Sequence, residues 1–166
     1  MLTGIAKAYD GSITAGESLG YTVCVSEPVL RDQLDQFEIT AHPQNAGPAR
    51  ERVRDAARDA GFTSIDLADI EIAVGEAITN AILYGSPCAN SRVLLVYGSV
   101  ASDFVITIRD EGSGFDPSTV RLEEDTDALG GRGIRLMRAL MDQVDLHYDG
   151  EGMVACLHKK LPHHPA

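Results

Sequence analysis

The chain has 166 residues, 44% of them hydrophobic, which suits one domain with a sizeable core and leaves little room for a second. Its 14 Lys and Arg against 25 Asp and Glu give a formal charge of −11. That balance argues against direct contact with nucleic acid or an anionic membrane surface, because both demand a basic face. A nucleotide stays compatible, since backbone amides, a metal ion and one or two cations suffice to hold phosphates. No apolar run approaches the roughly 18–20 residues that span a bilayer, and no secretory signal is expected in residues 1–20. Cys24, Cys88 and Cys156 show no CxxC spacing and read as reduced thiols of a cytoplasmic protein, ahead of the rival of one disulfide and one free thiol.

Residues 1–36 are rich in glycine and irregular, with alternation only around Tyr21 to Val25, and read as an extension: an added strand or a flexible arm. Residues 37–41 alternate as a half-buried strand that His42-Pro43 breaks. A helix is expected over 45–61, with Pro48 in its first turn and Gly61 as its stop. A second is expected over 64–83, capped by Ser64 or Asp66, with Ile70, Val74, Ala77, Ile78 and Ala81 at helical spacing. Strands follow at 93–97 and 104–108, then a glycine-rich acidic loop at 110–130 and a helix at 131–141. The last strands are 144–148 and 154–159, and residues 162–166 form a disordered tail. The order predicts an α+β fold: a two-layer sandwich of a mixed, mainly antiparallel sheet with helices on one face.

Three clusters carry candidate chemistry. Glu76 and Asn80, four apart, share one helix face. The carboxamide oxygen suits magnesium and the carboxylate can accept a proton from an attacking hydroxyl; the alternative is a pair of ordinary solvent-facing residues. Asp110, at a strand end, is followed by Gly112 and Gly114. The carboxylate can accept from an exocyclic amine while the glycines let a flat base approach the backbone; the alternative is a polar turn. Gly130, Gly131, Arg132 and Gly133 run into a helix, where free N–H groups and the helix dipole favour phosphate; the alternative is a hinge. No Walker loop occurs.

In order and spacing, Glu76-Ala-Ile-Thr-Asn80-Ala with Tyr84-Gly85, Asp110-Glu-Gly112-Ser-Gly114 and Gly131-Arg-Gly133-Ile134 resemble the N, G1 and G2 boxes of the Bergerat-fold (GHKL) ATPases. With Leu140-Met141-Asp142 they look most like the anti-sigma factor serine/threonine kinases, over residues 37–161, expected to be the histidine-kinase-like ATP-binding domain. The resemblance implies ATP and Mg2+ as cofactors, Glu76 as general base and Asn80 as the magnesium ligand. It implies Asp110 on the adenine amine, Gly112 and Gly114 beside the base, Gly131, Arg132 and Gly133 along the phosphates, and residues 117–129 as a lid. It further implies a homodimeric, cytoplasmic kinase that phosphorylates a small anti-anti-sigma protein and sequesters a sigma factor, with no contact to nucleic acid or membrane.

Two departures stand out. After Gly152 the chain has Met153 and Val154 where the family often has a threonine that binds adenine through water, and Tyr84 replaces the frequent histidine. The alternatives to a kinase are a non-catalytic ATP-binding regulator that sequesters a partner and a detached histidine-kinase catalytic domain. The latter lacks room for a dimerisation unit with a phospho-accepting histidine.

Overall fold

A computed structural model describes residues 34–114 and 131–162. The expected extension and tail therefore fall largely, and the expected lid wholly, outside the described residues. β1 (Asp35–Thr40) turns Phe37 and Ile39 toward the core. A 3-10 turn at Pro43–Asn45 leads into α1 (Ala46–Asp59), and Asn45 Nδ2 ties this entry back to Thr40 by donating to Oγ1 at 2.8 Å.

α2 (Ser64–Leu83) is capped by Thr63 rather than by Ser64 or Asp66. Thr63 Oγ1 accepts from the Asp66 amide at 3.3 Å and donates to Asp66 Oδ2 at 2.7 Å. The expected caps are thus corrected: Ser64 is the first helical residue, and Asp66 strengthens the cap from the first turn, where a carboxylate also suits the dipole. Ala49, Val53 and Ala57 of α1 and Ala73, Val74 and Ala77 of α2 are buried in the core, and Glu71 of α2 pairs with Arg50 and Arg54 of α1.

The sheet also contains β2 (Arg92–Val100), β3 (Asp103–Arg109), β4 (Gln143–Tyr148) and β5 (Met153–Lys160), in the order β1-β2-β3-β5-β4. Among the described residues every pairing is antiparallel, so the expected mixed sheet is corrected to an antiparallel one. The reason is topological. β5 lies between β3 and β4, so the connection through α3 (Gly131–Leu140) creates no parallel neighbours.

The helices cover one face. Val93, Leu95, Tyr97, Phe104, Ile106, Ile108 and Leu157 meet Ile70, Val74, Ile78, Ile134 and Met137 in one core. Edge-to-face contacts of Phe37 with Tyr97 and of Phe62 with Phe104 extend it at both ends. Arg52 locks α1 onto the sheet edge, lying 4.3 Å above the Phe37 ring and donating to Tyr97 Oη at 3.1 Å. Lys159 Nζ on β5 donates to the Leu140 carbonyl at 2.7 Å and to Asp69 at 3.3 Å, joining α2, α3 and β5.

The opposite face is not polar: Val96, Val105, Thr107, Val154 and Cys156 on it are also buried. Cys88 is a free, exposed thiol, whereas Cys156 is disulfide-bonded, which corrects the expectation of three reduced thiols. No helix among the described residues is long and apolar enough to cross a membrane.

Candidate active site

The β3–β5 register sets the floor of the site. Arg109 stands opposite Val154, so Asp110, leaving β3, meets the start of β5. The Asp110 amide donates to the Met153 carbonyl at 3.0 Å. In return its Oδ1 accepts from the amides of Gly112 at 2.9 Å and Met153 at 3.0 Å. Asp110 is 4% exposed. Burial pushes its carboxyl above the ordinary value and outweighs the two amides that favour the charge.

Glycines crowd this carboxylate. A Cβ on Gly85 would stand 1.7 Å from Asp110 Oδ2, one on Gly112 2.1 Å from the Gly85 carbonyl, and one on Gly152 1.8 Å from the Asp110 carbonyl. Only hydrogen fits at the three positions. Gly114 adds a backbone requirement, with φ +74 against Tyr148 and Met153.

Asp110 opens onto a cavity of about 260 Å³ whose walls include Ala77, Asn80, Met137, Leu146 and Met153. Apolar walls with two convergent polar groups suit a flat ligand carrying polar atoms at its edge. At the other end of the site, α3 begins beside α2. A Cβ on Gly133 would lie 2.8 Å from Glu76 Oε2 and 3.3 Å from Asn80 Nδ2. Glu76 and Asn80, one turn apart and both half-buried, therefore face the first turn of α3, whose N–H groups and dipole attract anions.

A charged clamp lies behind the floor. Arg109 donates from Nε to Asp149 Oδ2 and from Nη2 to Glu151 Oε2, each at 2.6 Å. Asp149 Oδ1 accepts from the Glu151 amide at 2.9 Å and the Gly152 amide at 3.0 Å. Burial opposes the charge of Asp149, but Arg109 and the two amides outweigh it and hold the carboxyl below its ordinary 3.8. Burial opposes the charge of Arg109 too, but the Asp149 and Glu151 carboxylates outweigh it and tighten its proton.

A depressed carboxyl stabilises the fold above its unfolded pKa and loses that stabilisation as pH falls through the folded one. Asp149→Asn should therefore lower stability at neutral pH and flatten its decline below pH 3.8, as read by urea melts across acid pH.

The structure thus brings Glu76, Asn80 and Gly133 together at one end, and Asp110, Gly112 and Gly114 at the other, with Asn80 lining the cavity between them. Gly131 opens α3, where a Cβ would meet nothing within 4 Å among the described residues, and Arg132 is exposed beside it. Sequence reasoning missed Gly85 and Gly152 as parts of the floor, and Arg109 and Asp149 as its support. The signals were present: Arg109 directly precedes Asp110, and Asp149 starts the Asp-Gly-Glu-Gly turn before Met153. The contacts themselves join residues some 40 positions apart.

Residues 39–159 match the family model described as the histidine kinase-like ATPase domain. An anti-sigma F factor of Clostridium perfringens is 30% identical over 78% of this chain and 98% of its own length. A serine-protein kinase, RsbW of Bacillus subtilis, is 30% identical over 69% of this chain and 79% of its own. Among solved structures, the RsbU and RsbW domains of a Mycobacterium tuberculosis protein superpose with a TM-score of 0.55 at 17% identity, over 81% of this chain and 32% of that one. The catalytic domain of the histidine kinase ThkA gives a TM-score of 0.51 at 10% identity, over 76% of this chain and 96% of that one, a likeness of fold alone. With that match over most of its length and those curated relatives, the chain belongs to the histidine kinase-like ATPase family, in the group of the anti-sigma factors and serine-protein kinases.

Proposed function

We propose that this serine/threonine kinase acts in a partner switch: with ATP and Mg2+ it phosphorylates a serine or threonine of a small anti-anti-sigma protein, and it sequesters a sigma factor, as a cytoplasmic homodimer. One observation carries the reading. The first turn of α3 lies against Glu76 and Asn80, and Asn80 also lines the cavity that ends at Asp110. A purine in that cavity, its exocyclic amine toward Asp110, would send its phosphates toward Gly131, Arg132 and Gly133.

The donor set suits magnesium. Among the described residues no group of three or more His, Cys, Asp and Glu forms a metal cage. An ion that keeps its waters and arrives on phosphates needs only one or two protein oxygens, and Asn80 offers one. Bound there, the ion would neutralise phosphate charge.

The chain's own residues supply the remainder. Gly114 on the cavity wall leaves space for the base, Gly112 steadies Asp110 beside it through its amide, and the α3 amides with Arg132 hold the phosphate oxygens. Glu76 takes the proton of the partner's hydroxyl as its oxygen bonds the γ-phosphorus and the bond to the bridging oxygen breaks, releasing ADP. Phosphoryl transfer needs mainly such positioning and charge neutralisation. Met153 and Val154, in place of the threonine often found there, favour a second reading, a nucleotide-responsive sequestering protein without transfer.

The two readings separate on incubating the protein with γ-labelled ATP and a candidate anti-anti-sigma protein. Label on a serine or threonine of that protein is expected. Bound ATP with no label transferred would leave the sequestering role alone.

A further inference from the structure

Arg109 and Asp149 lie outside the cavity, on the far side of its floor, and the roles just proposed do not use them. Their contacts form an unbroken relay. The Arg109 guanidinium holds Asp149 Oδ2 and Glu151, and Asp149 Oδ1 collects the amides of Glu151 and Gly152. The Asp149 amide closes the turn on the Gly152 carbonyl at 3.1 Å. Gly152 presses on the Asp110 carbonyl without room for a Cβ, and the next amide, that of Met153, donates to Asp110 Oδ1. Thus Oδ1 is occupied by two amides, while Oδ2 accepts from no donor among the described residues.

Both partners of the central ion pair are well covered, with side chains 18% and 12% exposed, and Arg109 engages two carboxylates through two different nitrogens. A surface ion pair held only for solubility has neither feature.

We propose that Arg109 and Asp149 are positioning residues that aim Asp110 Oδ2 at the exocyclic amine of the base, and so set how strongly the site prefers a 6-aminopurine. The inference rests on the reading of Asp110 given above. Arg109 fixes the height of the β4–β5 turn relative to β3. The turn fixes the Met153 amide, and that amide, with Gly112, fixes the rotation of the carboxylate. A carboxylate turned by a few tenths of an ångström still fills the floor but loses its line to the amine.

The test compares ATP with purine riboside triphosphate, which lacks only the exocyclic amine, by calorimetry on the full chain. The wild type should bind ATP about tenfold tighter, the worth of one hydrogen bond to a charged acceptor. Arg109→Ala should bring the ratio near one while leaving affinity for the analogue unchanged, and Arg109→Lys should restore part of it. Asp149→Asn keeps an oxygen for the turn amides and loses the ion pair, so an intermediate ratio is expected; it carries the same test should Arg109→Ala fail to fold. A loss of global stability would weaken both ligands alike, so an unchanged ratio in folded Arg109→Ala and Asp149→Asn overturns the positioning role and leaves the reading of Asp110 standing. A wild type with no preference for ATP overturns that reading and this inference together.

Discussion

Glu76→Ala should bind ATP like the wild type and transfer its phosphate about 10²–10⁴-fold more slowly, the usual worth of a positioned base. The separation follows from where the residue stands. Glu76 is half-buried against the first turn of α3, with its Oε2 directed at Gly133, whereas the cavity wall is built from Ala77 and Asn80 of α2, Ile134 and Met137 of α3 and residues of the sheet. Removing the carboxylate therefore costs no contact in the cavity. Glu76→Gln, nearly the same in shape but without basicity, should match the alanine variant. Single-turnover transfer to the anti-anti-sigma partner, with calorimetry for ATP, reads both quantities. Transfer at the wild-type rate in either variant would show that another group takes the proton.

Asp110→Asn should lower ATP affinity about 10–100-fold, the range for a hydrogen bond to a charged group, while raising the melting temperature of the unliganded protein. The stability gain follows from the sign of the pKa shift. Burial holds the Asp110 carboxyl above its ordinary 3.8, so the folded state disfavours the ionised form that is present at neutral pH. An asparagine carries no charge, and its Oδ1 can still accept from Gly112 and Met153. Its amide, however, would present a donor to the donor on the base. The site thus spends fold stability on an ionised acceptor, a common bargain at binding sites. If the melting temperature fell instead, Asp110 would be a structural residue whose charge the floor requires.

Periodicity and punctuation were enough to read the order of strands and helices between residues 37 and 160, because each rests on local rules. Alternating apolar residues such as Phe37 and Ile39 mark a half-buried strand, and the spacing of Ile70, Val74, Ala77 and Ile78 marks a helix face. The same local logic put Glu76 and Asn80 on one side of α2, since a helix fixes its side-chain directions within a single turn. It faltered at the cap, where Thr63 outcompetes Ser64 through a bond to Asp66 that depends on the helix already being formed.

Tertiary structure alone decided which distant segments meet. Strand order placed β5 beside β3, and that register brought the Met153 amide to Asp110 and the Asp149 turn to Arg109. Gly85 and Gly152 look like ordinary turn residues along the chain, and only the folded molecule shows the Asp110 carboxylate pressed against the one and the Asp110 carbonyl against the other. Helix and strand periods are set by backbone geometry a few residues long. Cross-strand pairing depends on how the whole apolar set is buried at once, and so it cannot be read from any one stretch of the sequence.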